Sequence, residues 1–226
     1  MITKAGEGHI PSAFSIVDIV ATLYEKVLTE DDYFILSKGH GCAALFVVLE
    51  KQGVLRSEEI DAYGQFHANL GGHPDRTKVR GVECSTGSLG HGFPMAVGLA
   101  LGLKIQNKKG RVFVLVGDGE CHEGTTWEAA LVAPHLKLDN LIVIVDRNKS
   151  ADQILPHPNM RAQFEAFGWN VYETGGLMFD AFYEGPQVCI SDTTKGKGVS
   201  FLEGHGKWHH RIPNKEEYAA IMEELK

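Results

Sequence analysis

Two unbroken apolar runs stand out along the chain, one in residues 111–116 (Arg-Val-Phe-Val-Leu-Val) and one in Leu141-Ile-Val-Ile-Val145. Short, β-branched and apolar on both faces, they predict strands of a parallel sheet covered by helices on each side. Tyr33-Phe-Ile-Leu36 predicts another strand, and Asn170-Val-Tyr-Glu173 and Gln187-Val-Cys-Ile190 predict two more. Elsewhere the period is helical. Ser15-Ile-Val-Asp18 reads as a capping box opening a helix with Ile16, Ile19, Val20, Leu23 and Val27 on one face. Cys42 to Gln52 predicts a buried helix, and Ser57-Glu58-Glu59 the cap of the next, its acids at the positive end of the dipole. Phe93 to Gln106 predicts a helix in which Ala96, Gly98, Ala100 and Gly102 permit close packing. Glu123 to Ala133 predicts one that Pro134 helps to end. Asn214 and Glu217 cap a last helix bearing Tyr218, Ile221, Met222 and Leu225. Alternation of this kind predicts an α/β fold, a doubly wound parallel sheet flanked by helices, as a single domain over residues 1–226.

Composition narrows the class. At 226 residues and 43% hydrophobic content the chain can bury a full core. A net charge of −7 and a pI near 5.9 argue against a nucleic-acid surface, which needs clustered cations, and Lys108-Lys109-Gly110-Arg111 reads as a solvated turn. No segment approaches the apolar length of a membrane span, and the N-terminus lacks the apolar stretch of a signal peptide, so a cytoplasmic protein is expected. Cys42, Cys84, Cys121 and Cys189 are scattered without a Cys-x-x-Cys and read as reduced, mostly buried thiols.

The chemistry lies at the ends of the two apolar strands. Gly117-Asp118-Gly119 follows the first and Asn148 the second, with the 28 residues 120–147 between Gly119 and Asn148, enough for a parallel crossover through one helix. Ligands of such sheets bind beyond the carboxyl ends of the strands. A carboxylate and an amide delivered there, with glycines beside them and the Ser150 main chain two residues on as a third oxygen, suit Mg²⁺ carrying a diphosphate. Alone, Asp118-Gly119 would be an ordinary turn; paired with Asn148 at this spacing, it has the pattern of a thiamine diphosphate site.

Further motifs extend the pattern in order: Gly8-His9, Leu36-Ser-Lys-Gly-His40, Gly72-His73-Pro74, Ser85-Thr-Gly-Ser-Leu-Gly-His-Gly92, Gly117-Asp-Gly-Glu-Cys-His-Glu-Gly124, Asp146-Arg-Asn148, Lys195-Gly-Lys-Gly198 and Trp208-His209. Over essentially its whole length the chain resembles the N-terminal, diphosphate-binding half of a transketolase. The resemblance implies the thiamine diphosphate-binding fold, with thiamine diphosphate and Mg²⁺ (or Ca²⁺ or Mn²⁺) as cofactors and the metal on Asp118, Asn148 and the Ser150 carbonyl. It implies cofactor contacts from His40, Gly87, Ser88, Leu89, Gly117, Gly119, Glu120, Lys195 and His209, besides Asp118 and Asn148. His9, His40, His73 and His209 are implied to line the substrate channel and move protons on sugar oxygens, work suited to imidazole. Lys195 is implied to sit near cofactor and donor, and Glu123 to approach a catalytic glutamate of a partner domain, where two carboxylates favour a shared proton. The implied reaction moves a two-carbon glycolaldehyde unit from a ketose or its phosphate to an aldose or its phosphate.

The family's ring-activating glutamate belongs to a pyrimidine-binding domain for which this sequence offers no motif. The resemblance therefore implies the diphosphate-binding A-subunit of a split transketolase, acting with a pyrimidine-binding transketolase B-subunit in a heterotetramer on small sugars or sugar phosphates, with neither nucleic acid nor membrane as partner. The sequence departs from the family in four places: it begins almost at Gly8-His9, Thr29-Glu-Asp-Asp32 is a short bridge, and Gly175-Gly-Leu-Met178 replaces a polar Asp-Gly-His-Asp. In the fourth, only the 13 residues 174–186 separate Glu173 from Gln187, room for a helix of about two turns. Two alternatives stay open: part of another thiamine diphosphate enzyme, such as a deoxyxylulose-phosphate synthase or the α chain of a 2-oxoacid dehydrogenase, and a shortened cofactor-binding or assembly protein without turnover.

Overall fold

The computed structural model describes residues 1–157, 159–175, 185–204 and 206–226. Short helices α1 (Ile2–Ala5), α2 (Ile10–Phe14) and α3 (Val17–Thr22) lead through a π-helical turn, Leu23–Val27, to β1 (Tyr33–Leu36). Then come α4 (Cys42–Lys51), α5 (Ser57–Asp61), α6 (Gly92–Ile105), β2 (Val112–Gly117), α7 (Gly124–His135) and β3 (Leu141–Arg147). The described chain continues through α8 (Met160–Phe167), β4 (Asn170–Thr174), β5 (Gln187–Asp192) and α9 (Lys215–Glu224). The strands form a parallel sheet of order β1-β2-β3-β5-β4, with β2 and β3 at its centre. An α/β fold with helices on both faces is what the apolar runs predict.

Side-chain alternation divides the core in two. Phe113, Leu115, Ile142 and Ile144 pack with Ile16, Ile19 and Phe46, whereas Val112, Val114, Val143 and Val145 pack with Phe93, Ala96, Ala100 and Ala130. Both central strands are therefore buried on both faces, and their polar ends alone reach solvent or ligand.

Several local expectations are corrected. Ser15 caps no helix: Ile16 takes that position, and the Ser15 hydroxyl donates 2.6 Å to Asp146 on β3. Ser57 likewise gives its hydroxyl to Glu50, and it is Glu59 that accepts the Arg56 N–H at 3.0 Å. Asn214 and Glu217 do form the reciprocal cap of α9. On α6, Ala96 and Ala100 are fully buried, but a Cβ on Gly98 or Gly102 would meet nothing within 4 Å, so those glycines are not packing devices. Pro134 lies inside α7 instead of ending it. The carbonyl its missing N–H would have bonded, that of Ala130, accepts 2.7 Å from Trp169 Nε1, which removes part of the usual penalty. The helix expected between β4 and β5, with positions 176–178 of the Gly175–Met178 departure, lies outside the described residues. No described helix is long and apolar enough to cross a membrane.

Candidate cofactor and substrate site

β2 and β3 end side by side, Gly117 in register with Asp146, so Asp118 and Asn148 emerge together. The Asp118 carboxylate is 3% exposed and accepts the Gly119 N–H at 2.8 Å and the Lys149 N–H at 2.6 Å. Lys149 reaches that bond by taking a left-handed backbone, φ 61°, directly after the proposed amide ligand. Burial, reinforced by the nearby Asp146 charge, pushes the Asp118 carboxyl above its ordinary pKa. Asn148 Nδ2 donates to Asp146 at 3.0 Å and to Ser15 Oγ at 3.2 Å, while its Oδ1 accepts the Ser150 N–H at 3.1 Å.

A cavity with about 390 Å³ of unfilled space opens between these strand ends, walled by Asp118, Asn148, Ser150, Gly117, Gly119, Glu120, Leu89, His40, Lys195, His209, Ser12 and Lys38. Nine of the residues assigned to cofactor contact from sequence thus share one cavity. Gly87 and Ser88 stand outside its wall: Gly87 lies against the His73 ring, 3.2 Å from where a Cβ would sit, and Ser88 is exposed. Glu120 lines the cavity, but its carboxylate accepts from Ser37 Oγ and from the Gly90 and Gly117 N–H groups, tying the loop before α6 to the end of β2. Glu123 is exposed at the start of α7 and outside the cavity wall.

The histidines converge as one cluster. His9 is its hub, with ring centroids 5.1 Å from His40, 5.1 Å from His209 and 6.4 Å from His73. Burial and the neighbouring rings lower the His9 pKa to about 4; burial and then Lys38 lower that of His40 to about 2. At neutral pH both are uncharged rings able to accept and to donate. Lys195, 6% exposed, contacts Ser150 Oγ at 3.2 Å and His209 Nδ1 at 3.1 Å, and burial and the Lys38 charge lower its pKa.

Three participants were not singled out from the sequence. Lys38 is buried, lines the cavity and is ion-paired with the fully buried Asp146. Burial alone would raise the Asp146 pKa, yet Lys38 and the hydroxyls of Ser15 and Thr193 hold it below the ordinary value. Both residues stand inside recognisable motifs, but only the fold brings two residues 108 positions apart into contact. His210 packs 4.6 Å from His9, and the doubled His209-His210 was its only signal.

The residues present fit a magnesium diphosphate. The candidate donors Asp118, Asn148 and Ser150 are oxygen ligands, and among the described residues no group of three His, Cys, Asp or Glu could hold a metal ion. A cation beside Asp118 would offset the cost of its burial, and Lys195, which has no ion pair with a carboxylate among the described residues, would supply positive charge for phosphate oxygens.

The family described as "Transketolase, thiamine diphosphate binding domain" matches residues 1–178, and the chain belongs to the transketolase family. It is 37% identical to the A-subunit of apulose-4-phosphate transketolase from Phocaeicola vulgatus, over 100% of this chain and 88% of that one. With the protein of the same name from Actinobacillus succinogenes it shares 40% identity over 97% and 88% of the two chains. A 6-deoxy-6-sulfo-D-fructose transketolase subunit from a Clostridium species is 33% identical over 99% and 90%. Among solved structures, transketolase from Leishmania mexicana superposes with a TM-score of 0.87 at 28% identity, over 99% of this chain and 39% of that one. The Campylobacter jejuni transketolase does so with a TM-score of 0.81 at 30% identity, over 100% and 40%. The chain thus spans about two fifths of those longer enzymes.

Proposed function

We propose that this chain is the diphosphate-binding subunit of a two-subunit transketolase, moving a glycolaldehyde unit from a ketose to an aldose with thiamine diphosphate and Mg²⁺. The observation that carries the reading is the shared cavity, whose lining brings Asp118, Asn148 and Ser150 together with His40, Lys195 and His209. When bound, the cofactor supplies the carbanion chemistry that breaks and forms carbon–carbon bonds. The chain's own groups do the rest. Asp118, Asn148 and the Ser150 carbonyl would hold the cation, and Lys195 would balance phosphate charge. His9 and His40, kept uncharged by burial, together with His73 and His209, hold and pass protons on sugar oxygens. Glu123, exposed at the start of α7, is free to meet a carboxylate of a partner subunit.

A pyrimidine-binding B-subunit is the expected partner, because the similar chains of nearly the same length are named as A-subunits. Their names also suggest the substrate class, ketoses carrying a phosphate or sulfo group. A cytoplasmic heterotetramer working on such sugars is the full form of the proposal, with residues 1–226 as one domain. The test is a ketose-to-aldose transfer assay on the chain mixed with its pyrimidine-binding partner. Transfer by the pair supports the reading. Cofactor binding without transfer by the reconstituted pair would assign the chain to assembly or cofactor storage.

A further inference from the structure

Asp146 is the most heavily engaged buried carboxylate of the site, yet it does not line the cavity. Oδ1 accepts from Ser15 Oγ at 2.6 Å and from Thr193 Oγ1; Oδ2 accepts from Lys38 Nζ and from Asn148 Nδ2 at 3.0 Å. These donors come from the junction of α2 and α3, from the segment after β5, from the end of β1 and from the end of β3. The last of them matters for metal binding. An amide is nearly symmetrical in shape, and only one of its ends can face a cation. The Asn148 Nδ2 is held on two sides, by Asp146 and by Ser15 Oγ at 3.2 Å, and Oδ1 is left to accept the N–H of Ser150, a residue that lines the cavity with Asn148.

We propose that Asp146 is the positioning residue of the metal site: by accepting from Nδ2 it fixes the amide of Asn148 with its oxygen toward the cation. An ionised carboxylate has no proton to donate, so the opposite amide orientation would set oxygen against oxygen inside the core. Asparagine at position 146 loses that discrimination, since its own amide can donate as well as accept. The inference rests on the cofactor reading above and concerns how the chain prepares a ligand, a role of the kind that partners of metal ligands play elsewhere.

The test measures thiamine diphosphate binding to the full chain by calorimetry across a Mg²⁺ series, for wild type, Asp146→Asn, Lys38→Met and Lys38→Met/Asp146→Asn, with melting curves for each. Removing Asp146 alone strands a buried lysine, and the double variant relieves that conflict. For Asp146→Asn the Mg²⁺ concentration at half-saturation is expected to rise by about 10–100-fold. The double variant is expected to melt near the wild-type temperature and still need the extra Mg²⁺ when compared with Lys38→Met. A Mg²⁺ requirement in the double variant equal to that of Lys38→Met would overturn the inference, because Asp146 would then only neutralise Lys38. Absence of Mg²⁺-dependent binding in the wild type overturns the cofactor reading itself, and the two failures are distinct.

Discussion

Uncharged imidazoles set the acid response of the molecule. His9 and His40 have folded pKa values lowered to about 4 and about 2, so in the acid range the unfolded chain binds protons that the folded chain does not. Their favourable contribution is complete above the ordinary histidine pKa, about 6.5, and is lost as the pH falls through that value toward 4 and 2. Asp32, held near 2 by Arg111 and main-chain N–H groups against the effect of burial, adds a second loss below its ordinary value. Melting temperature should therefore drop between pH 7 and pH 5, and His9→Gln should reduce that drop; an identical pH profile in the variant contradicts it. A separate prediction concerns chemistry. His73 is exposed and outside the cavity wall, so His73→Ala should leave cofactor affinity in place while lowering transfer by the reconstituted pair by about 10²–10⁴-fold if the ring passes protons. Unchanged turnover would return His73 to a structural role against Gly87.

At the scale of elements, α6 shows how closely a helix must approach the strand ends to build this site. A Cβ on Gly92 would lie 2.6 Å from Ser37 Cα, and Ser37 carries the hydrogen bond to Glu120. Gly92→Ala should destabilise the fold by about 1–3 kcal/mol through overpacking. Gly98, six residues on and exposed, faces open space, and Gly98→Ala should stabilise by up to about 1 kcal/mol through helix propensity. Thermal melts of the two variants moving in the same direction would contradict this account of α6. From sequence these glycines look alike, because periodicity marks which face is small and not how near the neighbour comes. Strands were legible for the opposite reason: β2 and β3 are apolar on both faces, a pattern that needs no knowledge of the partner strand. Ser15 and Ser57 misled because a serine ahead of a helix is a good cap by local rules, while their hydroxyls go instead to Asp146 and Glu50 across the fold.

For the whole molecule, the carboxyl end of the sheet gathers groups from the N-terminal helices to the segment before α9, and that gathering sets how much of the site a sequence can reveal. Asp118 and Asn148 were legible because both follow recognisable strands; Lys38, Asp146 and His210 were not, since their roles exist only through contacts between distant segments. Beyond the metal loop, Ile154 is 91% and Leu155 59% exposed, apolar surface suited to cover by a second subunit. The purified chain alone should accordingly show no two-carbon transfer and gain it when the partner is added; robust turnover by the isolated chain would remove the need for a split enzyme. The central claim, that the chain seats a magnesium diphosphate on the ends of β2 and β3, is tested most directly by calorimetry of thiamine diphosphate binding with and without Mg²⁺. Wild type should bind in a Mg²⁺-dependent way, Asp118→Ala should abolish that dependence, and Asn148→Ala, which removes a neutral ligand, should weaken binding less. Equal affinity in wild type and Asp118→Ala would contradict it.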